Sequence, residues 1–242
     1  HATAYAMIAY EMALFKANYP EVFYAAMLEH DTENVLAYIL EATSKGIRIQ
    51  RPNINRPTSV WQTKEGELLM PLSVVKFLSP DSAAKIVTEY ETNGEYKSIE
   101  DFRKRVPKRL CNSRVSRFLW AAGAFDGIDG DLKVLFTNDD ELTQQELELD
   151  AFGYRIPTIN EAIAIYDRPD EEREESPRGY IHDWKDKKNK RGKRYRVYLM
   201  RPFGSWWTDD EERISKIKRG DMLSVTKNHF GKAMKVTRMV RR

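Results

Sequence analysis

The residues best suited to chemistry are basic and aromatic, and they are interleaved in the last 65 positions. The aromatic members are Tyr180, Trp184, Tyr195, Tyr198, Phe203, Trp206, Trp207 and Phe230. A groove for single-stranded nucleic acid needs cations for the phosphates and aromatic faces for the bases, each stack contributing about 1–3 kcal/mol. Two of the tryptophans are adjacent, so at most one faces a core and the other is a candidate to meet a base. The predicted single-strand contacts are Lys190, Arg191, Lys193, Arg194, Arg196, Trp206, Trp207 and Lys227.

The alternation of basic and apolar residues after position 193 separates two faces of a predicted strand. Successive side chains of a strand point to opposite sides. We expect Tyr195, Val197 and Leu199 to pack inside, with Arg194 and Arg196 on the other face.

A second basic cluster lies between residues 103 and 117, where seven Lys and Arg fall within fifteen positions without an acidic residue. Duplex binding that ignores sequence requires only cations and backbone N–H groups at the phosphates. A helix that begins near Asn112 would offer such N–H groups at its N-terminus. We predict duplex contacts here, and a solvated face is the alternative. The predicted residues are Arg103, Lys104, Arg105, Lys108, Arg109, Asn112, Arg114 and Arg117.

The net charge of +3 conceals a strong asymmetry along the chain. Residues 178–242 hold 20 Lys and Arg against 7 Asp and Glu, whereas residues 1–177 hold 20 against 30. A region with a charge of about +13 is typical of a domain that binds a polyanion. A solvated surface that keeps a small domain soluble is the alternative interpretation.

No recognisable active site accompanies these features. Asp126, Asp129 and Asp131 do not fit the ligand spacing of a calcium loop, so we predict a turn there. The four histidines are scattered, and Cys111 has no second cysteine for a disulfide or a zinc site. The sequence contains neither a Gly-rich phosphate loop nor a nucleophile motif. We therefore predict no catalytic residue and no metal site in this chain.

Composition favours a soluble globular protein, with 41% hydrophobic and 32% charged residues. No apolar run is long enough to span a bilayer, and no secretory signal opens the sequence. A single cysteine fits a reducing compartment. We predict a cytoplasmic protein without a membrane partner. Because the sequence opens at His1 without Met, we also expect a processed, split or trimmed product.

Apolar spacing and capping residues predict a helical first part. Tyr5, Ile8, Met12 and Phe15 form one stripe of the first helix. A small hairpin is expected around residues 64–66, and a polar linker with three prolines follows the helices. The predicted helices cover 2–18, 21–29, 31–46, 82–92, 99–105, 114–122, about 130–137 and 140–152.

From Arg178 onward the periodicity changes to two, which predicts strands. Strands at 180–184, 194–200, 222–226 and 233–240, with a short helix at 211–218, indicate a small antiparallel β-barrel. The predicted fold class is therefore α+β.

Several segments, in one order over about 125 residues, resemble the alpha subunit of C-family bacterial replicative polymerases, DNA polymerase III. They include 1–10 (HATAYAMIAY), 14–20 (LFKANYP), 23–28 (FYAAML), 46–49 (GIRI), 52–55 (PNIN), 72–76 (LSVVK), 94–102 (GEYKSIEDF) and 121–126 (AAGAFD). The remainder is similar to the OB-fold that follows in that family, with 218–221 (KRGD) before a strand.

The resemblance implies a division into 1–72, the end of the fingers; 73–137, a helix-hairpin-helix region; 138–177, a helix and acidic linker; and 178–242, the OB-fold. It implies that His1 and Tyr5 lie near the nucleotide, with helix packing as the alternative. It also implies that this chain contributes to a DNA-directed DNA polymerase without being catalytic alone. The metal-binding aspartates and their magnesium belong to a palm region outside this sequence. Expected partners are duplex and single-stranded DNA and the N-terminal catalytic part of the polymerase.

Two departures from the family pattern qualify these expectations. The first hairpin normally has a Gly-x-Gly turn, whereas here it has Phe77-Leu78-Ser79-Pro80, which weakens the case for DNA contact there. Residues 132–136 lack the Gln of a sliding-clamp peptide, so clamp binding is only weakly predicted.

The compact sequence suggests a phage or other mobile-element polymerase. The alternative function is a stand-alone, non-catalytic DNA-binding or polymerase-interaction protein derived from this segment.

Overall fold

The computed structural model describes residues 1–136, 144–166, 178–201 and 204–239, and structural statements refer to these residues. Helices dominate the chain up to residue 166, and a five-stranded antiparallel sheet follows, which confirms the α+β class. The helices are α1 Ala2–Asn18, α2 Pro20–His30, α3 Val35–Ser44, α4 Pro80–Asn93, α5 Ile99–Arg105, α6 Ser113–Ala121, α7 Gln144–Phe152, α8 Ile159–Tyr166 and α9 Glu211–Lys216. The strands are β1 Ile49–Gln50, β2 Gln62–Lys64, β3 Glu67–Leu69, β4 Arg178–Lys188, β5 Arg194–Arg201, β6 Gly204–Thr208, β7 Met222–Lys227 and β8 Ala233–Arg238.

Helix ends follow the expected capping chemistry. The side chains of Ser79, Ser98 and Asn112 accept hydrogen bonds from backbone N–H groups in the first turns of α4, α5 and α6. Gly94 ends α4 with φ +75°, a conformation that glycine adopts without strain. These caps place the turns before α4 and α6 at defined positions.

Two segments differ from the sequence prediction. Where a helix over about 130–137 was expected, the described residues form only a 3₁₀ turn, Leu132–Val134, because the Asp131 carboxylate binds the Lys133 N–H and closes a tight turn. Helix α8 forms within the predicted polar linker, where Ala162 and Ile165 are buried. Helix α7 covers residues 144–152 of the helix predicted at 140–152, and residues 140–143 lie outside the described residues. Residues 167–177 of the predicted linker also lie outside them.

The helical part has one large core that contacts α2 to α7. Tyr24, Ile39, Leu68, Leu72 and Phe102 are at its centre and are almost fully buried. The predicted hairpin forms as β2 and β3, and β1 adds a parallel strand to it.

Helix α1 stands apart from this core. The sequence predicts one apolar stripe of an amphipathic helix, and in the structure Tyr5, Ile8, Met12 and Phe15 are all exposed and α1 has no buried residue. The stripe is therefore not covered by the described part of this chain.

The second part is a sheet of order β6-β5-β4-β7-β8 with every pairing antiparallel. Its edge strands meet where Trp207 and Lys232 form a parallel bridge, so the sheet curls toward closure. Helix α9 lies between β6 and β7 in the chain. This arrangement is compatible with the predicted OB-fold.

A third apolar cluster joins the two parts. Leu36 and Leu40 of α3, Ala162 and Ile165 of α8, and Tyr180 of β4 pack together. Next to it, the buried Arg155 guanidinium donates to the Gly220 carbonyl at 3.0 Å and to Glu161 at 3.3 Å, and it lies 4.7 Å from the Tyr180 ring. The sheet is thus held against α3 and α8.

Candidate nucleic-acid interface

A groove of about 450 Å³ lies on the outer face of β5 and β6. Tyr195, Val197 and Trp207 supply its apolar surface, and Lys193 and Arg194 add cations at its edge. This is the side of the sheet on which OB-folds bind oligonucleotides, between the first–second and fourth–fifth strand loops.

The faces of β5 are the reverse of the prediction. Tyr198 and Met200 are buried in the barrel, whereas Tyr195 and Val197 are only half-buried and Leu199 is exposed on the outer face. Arg196, near the start of β5, is on the inner face. Its charge is compensated there because the guanidinium donates two hydrogen bonds of 2.6 and 2.8 Å to the Asp186 carboxylate.

The two adjacent tryptophans divide between the faces, as the sequence predicted. Trp206 is buried and stacks on Tyr198, with ring centroids 4.5 Å apart and an interplanar angle of 22°. Trp207 lies outside, with its ring edge-on to Tyr195 at 5.5 Å, and its indole N–H donates to the Phe230 carbonyl at 3.0 Å. Trp207 is therefore the tryptophan that can meet a base, while Trp206 belongs to the core.

Two loops of the same design flank the groove, and both have the sequence Asn-x-x-Gly-Lys. In the first loop, residues 189–193, the Asn189 carboxamide oxygen accepts from the N–H groups of Arg191 and Lys193. In the second, residues 228–232, the Asn228 oxygen accepts in the same way from Phe230 and Lys232. In each loop the glycine has a positive φ, near +75°. The repeated turn presents exposed side chains at the tips: Lys190, Arg191, His229 and Phe230.

Asp209 connects the two loops. One carboxylate oxygen is 2.5 Å from the Lys193 Nζ and the other is 2.8 Å from the Lys232 Nζ. These two hydrogen bonds hold the pKa of the Asp209 carboxyl well below its usual range. The Lys232 ammonium is also 5.2 Å from the centre of the Trp207 ring. A negative charge therefore lies between the two lysines that are closest to the aromatic surface.

The second basic cluster is less uniform than its sequence suggests. Arg105 is held in place by Glu89 and Asp101, by the carbonyls of Glu95 and Gly94, and by the Tyr96 ring, 4.2 Å from its Cζ. This side chain stabilises the junction of α4 and α5. The exposed cations of the cluster are Lys104, Lys108, Arg109 and Arg114, and Arg103 and Arg117 are half-buried.

The turns of both hairpins lie close to each other. Ser79 caps α4 from the first turn, and the Asn112 carboxamide caps α6 from the second, 3.0 Å from the Val115 N–H. Between them, the Phe77 ring packs against Phe118, with centroids 4.8 Å apart, and under the Arg114 guanidinium, whose Cζ is 3.6 Å from the ring centre. Phe77 itself has φ +66°.

Other predicted residues fall outside these surfaces or at their margins. Lys227 ends β7 at the base of the second loop, and Phe203 lies outside the described residues. His1 and Tyr5 form a ring contact at 5.1 Å on exposed α1. Phe136, in the segment tested for a clamp peptide, is buried against Trp120.

The sequence interpretation missed three side chains that line the groove or shape the loops beside it: Asn189, Asn228 and Asp209. The repeated Asn-x-x-Gly-Lys pattern was visible in the sequence and would have located both loops. No sequence signal links Asp209 to them, because the contact depends on the curvature of the sheet.

In the described part of the chain, no group of three or more His, Cys, Asp and Glu side chains could hold a metal ion. Nor does any described helix combine the length and apolar character that crossing a membrane requires.

Comparison with known proteins shows what parts of this chain are similar to. Residues 46–134 match the family model described as a helix-hairpin-helix motif, which spans α4, α5 and α6. DNA polymerase III subunit alpha of Borreliella burgdorferi is 37% identical over 147 residues, covering 60% of this chain and 13% of that protein. The Thermus aquaticus subunit is 37% identical over 138 residues, and that of Staphylococcus aureus is 30% identical over 157. These cover 56% and 64% of this chain.

The chain spans only 11% to 15% of the length of these relatives. These matches confirm the resemblance: this chain is similar to part of the alpha subunits of DNA polymerase III, and its residues 46–134 match a helix-hairpin-helix motif.

Proposed function

We propose that this chain is the DNA-binding segment of a replicative DNA polymerase. In this proposal the groove on β5 and β6 holds the single-stranded template, and the segment from the end of α5 to the first turn of α6 holds the duplex. The observation that carries the proposal is the outer groove itself, where an aromatic surface is flanked by two basic loops of the same design.

The groove has both components that a single strand requires. Trp207, Tyr195 and the 73% exposed Phe230 provide ring faces or edges along one side of the sheet. Lys190, Arg191 and the lysines at positions 193 and 232 provide cations on both sides of it. Base stacking on such rings tolerates any sequence, because every base has a π-face. A template strand needs this kind of contact.

The hairpin region suits a duplex contact through phosphates. Exposed Lys104, Lys108, Arg109 and Arg114 lie between the last turn of α5 and the first turn of α6, and the capped N-terminus of α6 adds backbone N–H groups. Contacts of this type fix the position of a duplex without selecting its sequence. A polymerase that copies any template must bind its product in this way.

We assign nucleotidyl transfer to another part of the proposed polymerase. Two magnesium ions held by palm carboxylates would stabilise the attacking and leaving oxygens. The described residues of this chain contain no group of three or more His, Cys, Asp and Glu side chains that could hold a metal ion. Their proposed contribution is to hold the template and the duplex in position.

Helix α1 supports association with a larger protein body. Tyr5, Met7, Ile8, Tyr10 and Leu14 are each more than half exposed, although together they point to several sides of the helix. A helix that is hydrophobic around its whole circumference is typically buried. We propose that the catalytic part of the polymerase encloses α1, since a partner that touched one face would leave the others in water.

The first experiment measures binding of the full chain to a fluorescent single-stranded oligonucleotide and to a duplex of the same sequence, over a range of salt concentrations. We expect both to bind, with affinity that falls as salt rises. The triple variant Lys104→Ala/Lys108→Ala/Arg109→Ala should weaken duplex binding. If each cation contacts one phosphate, the slope of log K against log salt should become shallower by about three times 0.9. Arg48→Ala/Lys64→Ala, which removes two exposed cations of the β1–β3 region, is the control.

The second experiment adds a palm-containing fragment of a related polymerase and measures templated synthesis. Restoration of synthesis supports the polymerase segment, whereas DNA binding without restoration favours a stand-alone DNA-binding protein. If neither nucleic acid binds and no synthesis is restored, the proposed function is wrong.

A further inference from the structure

We propose that Phe77 is a positioning residue that holds the Arg114 guanidinium for contact with duplex phosphate. The inference rests on the proposed duplex binding and adds a specific device to it. In this device the first hairpin contributes to binding by supporting a cation of the second hairpin.

The backbone at Phe77 shows that an aromatic residue occupies an unfavourable position. A φ of +66° lies in the left-handed region, which is uncommon for residues other than glycine and an outlier for bulky ones. Glycine would adopt this conformation freely. Such outliers concentrate at functional sites, where the surrounding contacts maintain them. The side chain of Phe77 therefore has a role that compensates for its backbone.

The contacts of the ring identify that role. Phe77 remains 52% exposed, so burial of the ring is incomplete and cannot alone account for its position. One side meets Phe118 edge-on at 4.8 Å, and the Arg114 Cζ is 3.6 Å from the ring centre. Arg114 and Phe118 are four residues apart on α6, so Phe77 covers the first turn of that helix. The ring thus reduces the freedom of an exposed guanidinium beside the Asn112 cap.

A stacked guanidinium keeps its N–H donors available at its edge. Arg presents a planar fork of donors that matches phosphate, and stacking on an aromatic face leaves that fork open. Cation–π contact also orients the plane before any ligand arrives. Because less side-chain entropy is lost on binding, an ordered arginine binds phosphate more tightly than a mobile one.

The decisive variant is Phe77→Gly, tested for duplex binding in the full chain. Glycine removes the ring and accepts the positive φ, so we expect a melting temperature at or above that of the unmodified chain. We expect duplex affinity to fall about two- to fivefold, which is about 0.4–1 kcal/mol at 1.4 kcal/mol per tenfold. This is the range of a cation–π contact at an exposed site.

A double-mutant cycle separates positioning from general packing. Arg114→Ala should weaken duplex binding and reduce the salt slope by about one. Adding Phe77→Gly to Arg114→Ala should then cause no further loss. An equal loss in both backgrounds, or no loss in either, would overturn the inference.

Two further variants keep the test decisive if Phe77→Gly lowers the melting temperature. Phe77→Leu retains an apolar side chain and the same backbone conformation but removes the ring, so it should weaken duplex binding as glycine does. Phe77→Tyr retains the ring and should bind the duplex normally. If leucine binds as well as phenylalanine, the aromatic face has no role and the inference is wrong.

Failure of the positioning role of Phe77 can be distinguished from failure of the proposed function. If the unmodified chain does not bind duplex at all, the proposed function fails. If duplex binding depends on Lys108 and Arg109 but is insensitive to Phe77 and Arg114, only the positioning role is wrong.

Discussion

Asp209 offers a quantitative test of the groove, because its carboxylate occupies the two lysines that a phosphate would use. We predict that Asp209→Asn raises the affinity for single-stranded DNA. The substitution keeps the size of the side chain but removes the charge that lies 2.5 Å from the Lys193 Nζ and 2.8 Å from the Lys232 Nζ. The asparagine can accept hydrogen bonds from the lysines but no longer neutralises them.

Two estimates give the size of the effect. A phosphate that shares Lys193 with the carboxylate would lie roughly 5 Å from it, where repulsion in water is about 0.8 kcal/mol. Its removal corresponds to roughly a fourfold gain in affinity. In addition, two lysines become available to phosphate. For single strands the slope of log K against log salt is about −0.7 per phosphate neutralised, so the slope should steepen by about 1.4.

The same substitution should lower the free energy of unfolding while it raises the affinity for single strands. Surface ion pairs contribute about 0.2–1 kcal/mol each, so the loss of both pairs should lower the free energy of unfolding by roughly 0.5–2 kcal/mol at neutral pH. Because these contacts lower the pKa of the folded carboxyl, their contribution is present above the unfolded pKa of about 3.9. It is lost as the pH falls through the folded value, so the two proteins should converge in acid.

The assay is fluorescence anisotropy with an oligo-dT strand at several salt concentrations. Glu212→Gln is the matched control, since it also removes one negative charge and one lysine contact, to Lys216 on α9, but lies outside the groove. That variant should leave the salt slope unchanged. An Asp209→Asn protein with unaltered affinity and slope would refute the assignment of the groove, as would an equal gain in the control.

Three other predictions test separate parts of the structure. Trp207→Ala should weaken single-strand binding by about 1–3 kcal/mol, measured by the same anisotropy assay, while duplex binding stays unchanged. Arg155→Met should lower the free energy of unfolding in urea by about 3–5 kcal/mol because it leaves Glu161 buried without its cation, and adding Glu161→Gln should recover part of the loss. Burial raises the pKa of the Cys111 thiol to about 11, so at pH 8 a thiol-reactive disulfide reagent should modify the folded chain far more slowly than the urea-unfolded chain.

The sequence was sufficient to predict elements whose signals are local. Ser98 and Asn112 mark the starts of α5 and α6 because a short polar side chain satisfies N–H groups a few residues away. Helix α8 had an equally local signal that was overlooked. Thr158 and Glu161 form a capping box, in which the Thr158 N–H donates to Glu161 Oε2 at 2.9 Å and the Glu161 N–H donates to Thr158 Oγ1 at 3.3 Å. The surrounding prolines and acidic residues obscured it.

Features that depend on tertiary contact could not be predicted in the same way. Alternation along β5 defines two faces but does not say which one is buried. The structure buries Tyr198 because β4 and β6 bring Trp184 and Trp206 to the same side of the sheet. Likewise, the density of charge near Arg105 gave no indication that Glu89, sixteen residues earlier, would hold it.

The inverted faces of β5 also explain where the cations of the groove come from. Arg194, at the start of β5, reaches only the edge of the groove. If the basic face of the strand had been the outer one, Arg196 would have lined the aromatic surface directly. Instead Arg196 is paired with Asp186, and the cations reach the groove from its ends, through the lysines that close the two Asn-x-x-Gly-Lys loops. In the proposed complex, β5 and β6 supply Tyr195 and Trp207 for base stacking, whereas the two loops supply the lysines for the phosphates as well as Phe230. Substitutions in the loops should therefore change the salt dependence of single-strand binding, whereas substitutions at Tyr195 or Trp207 should change affinity at every salt concentration alike.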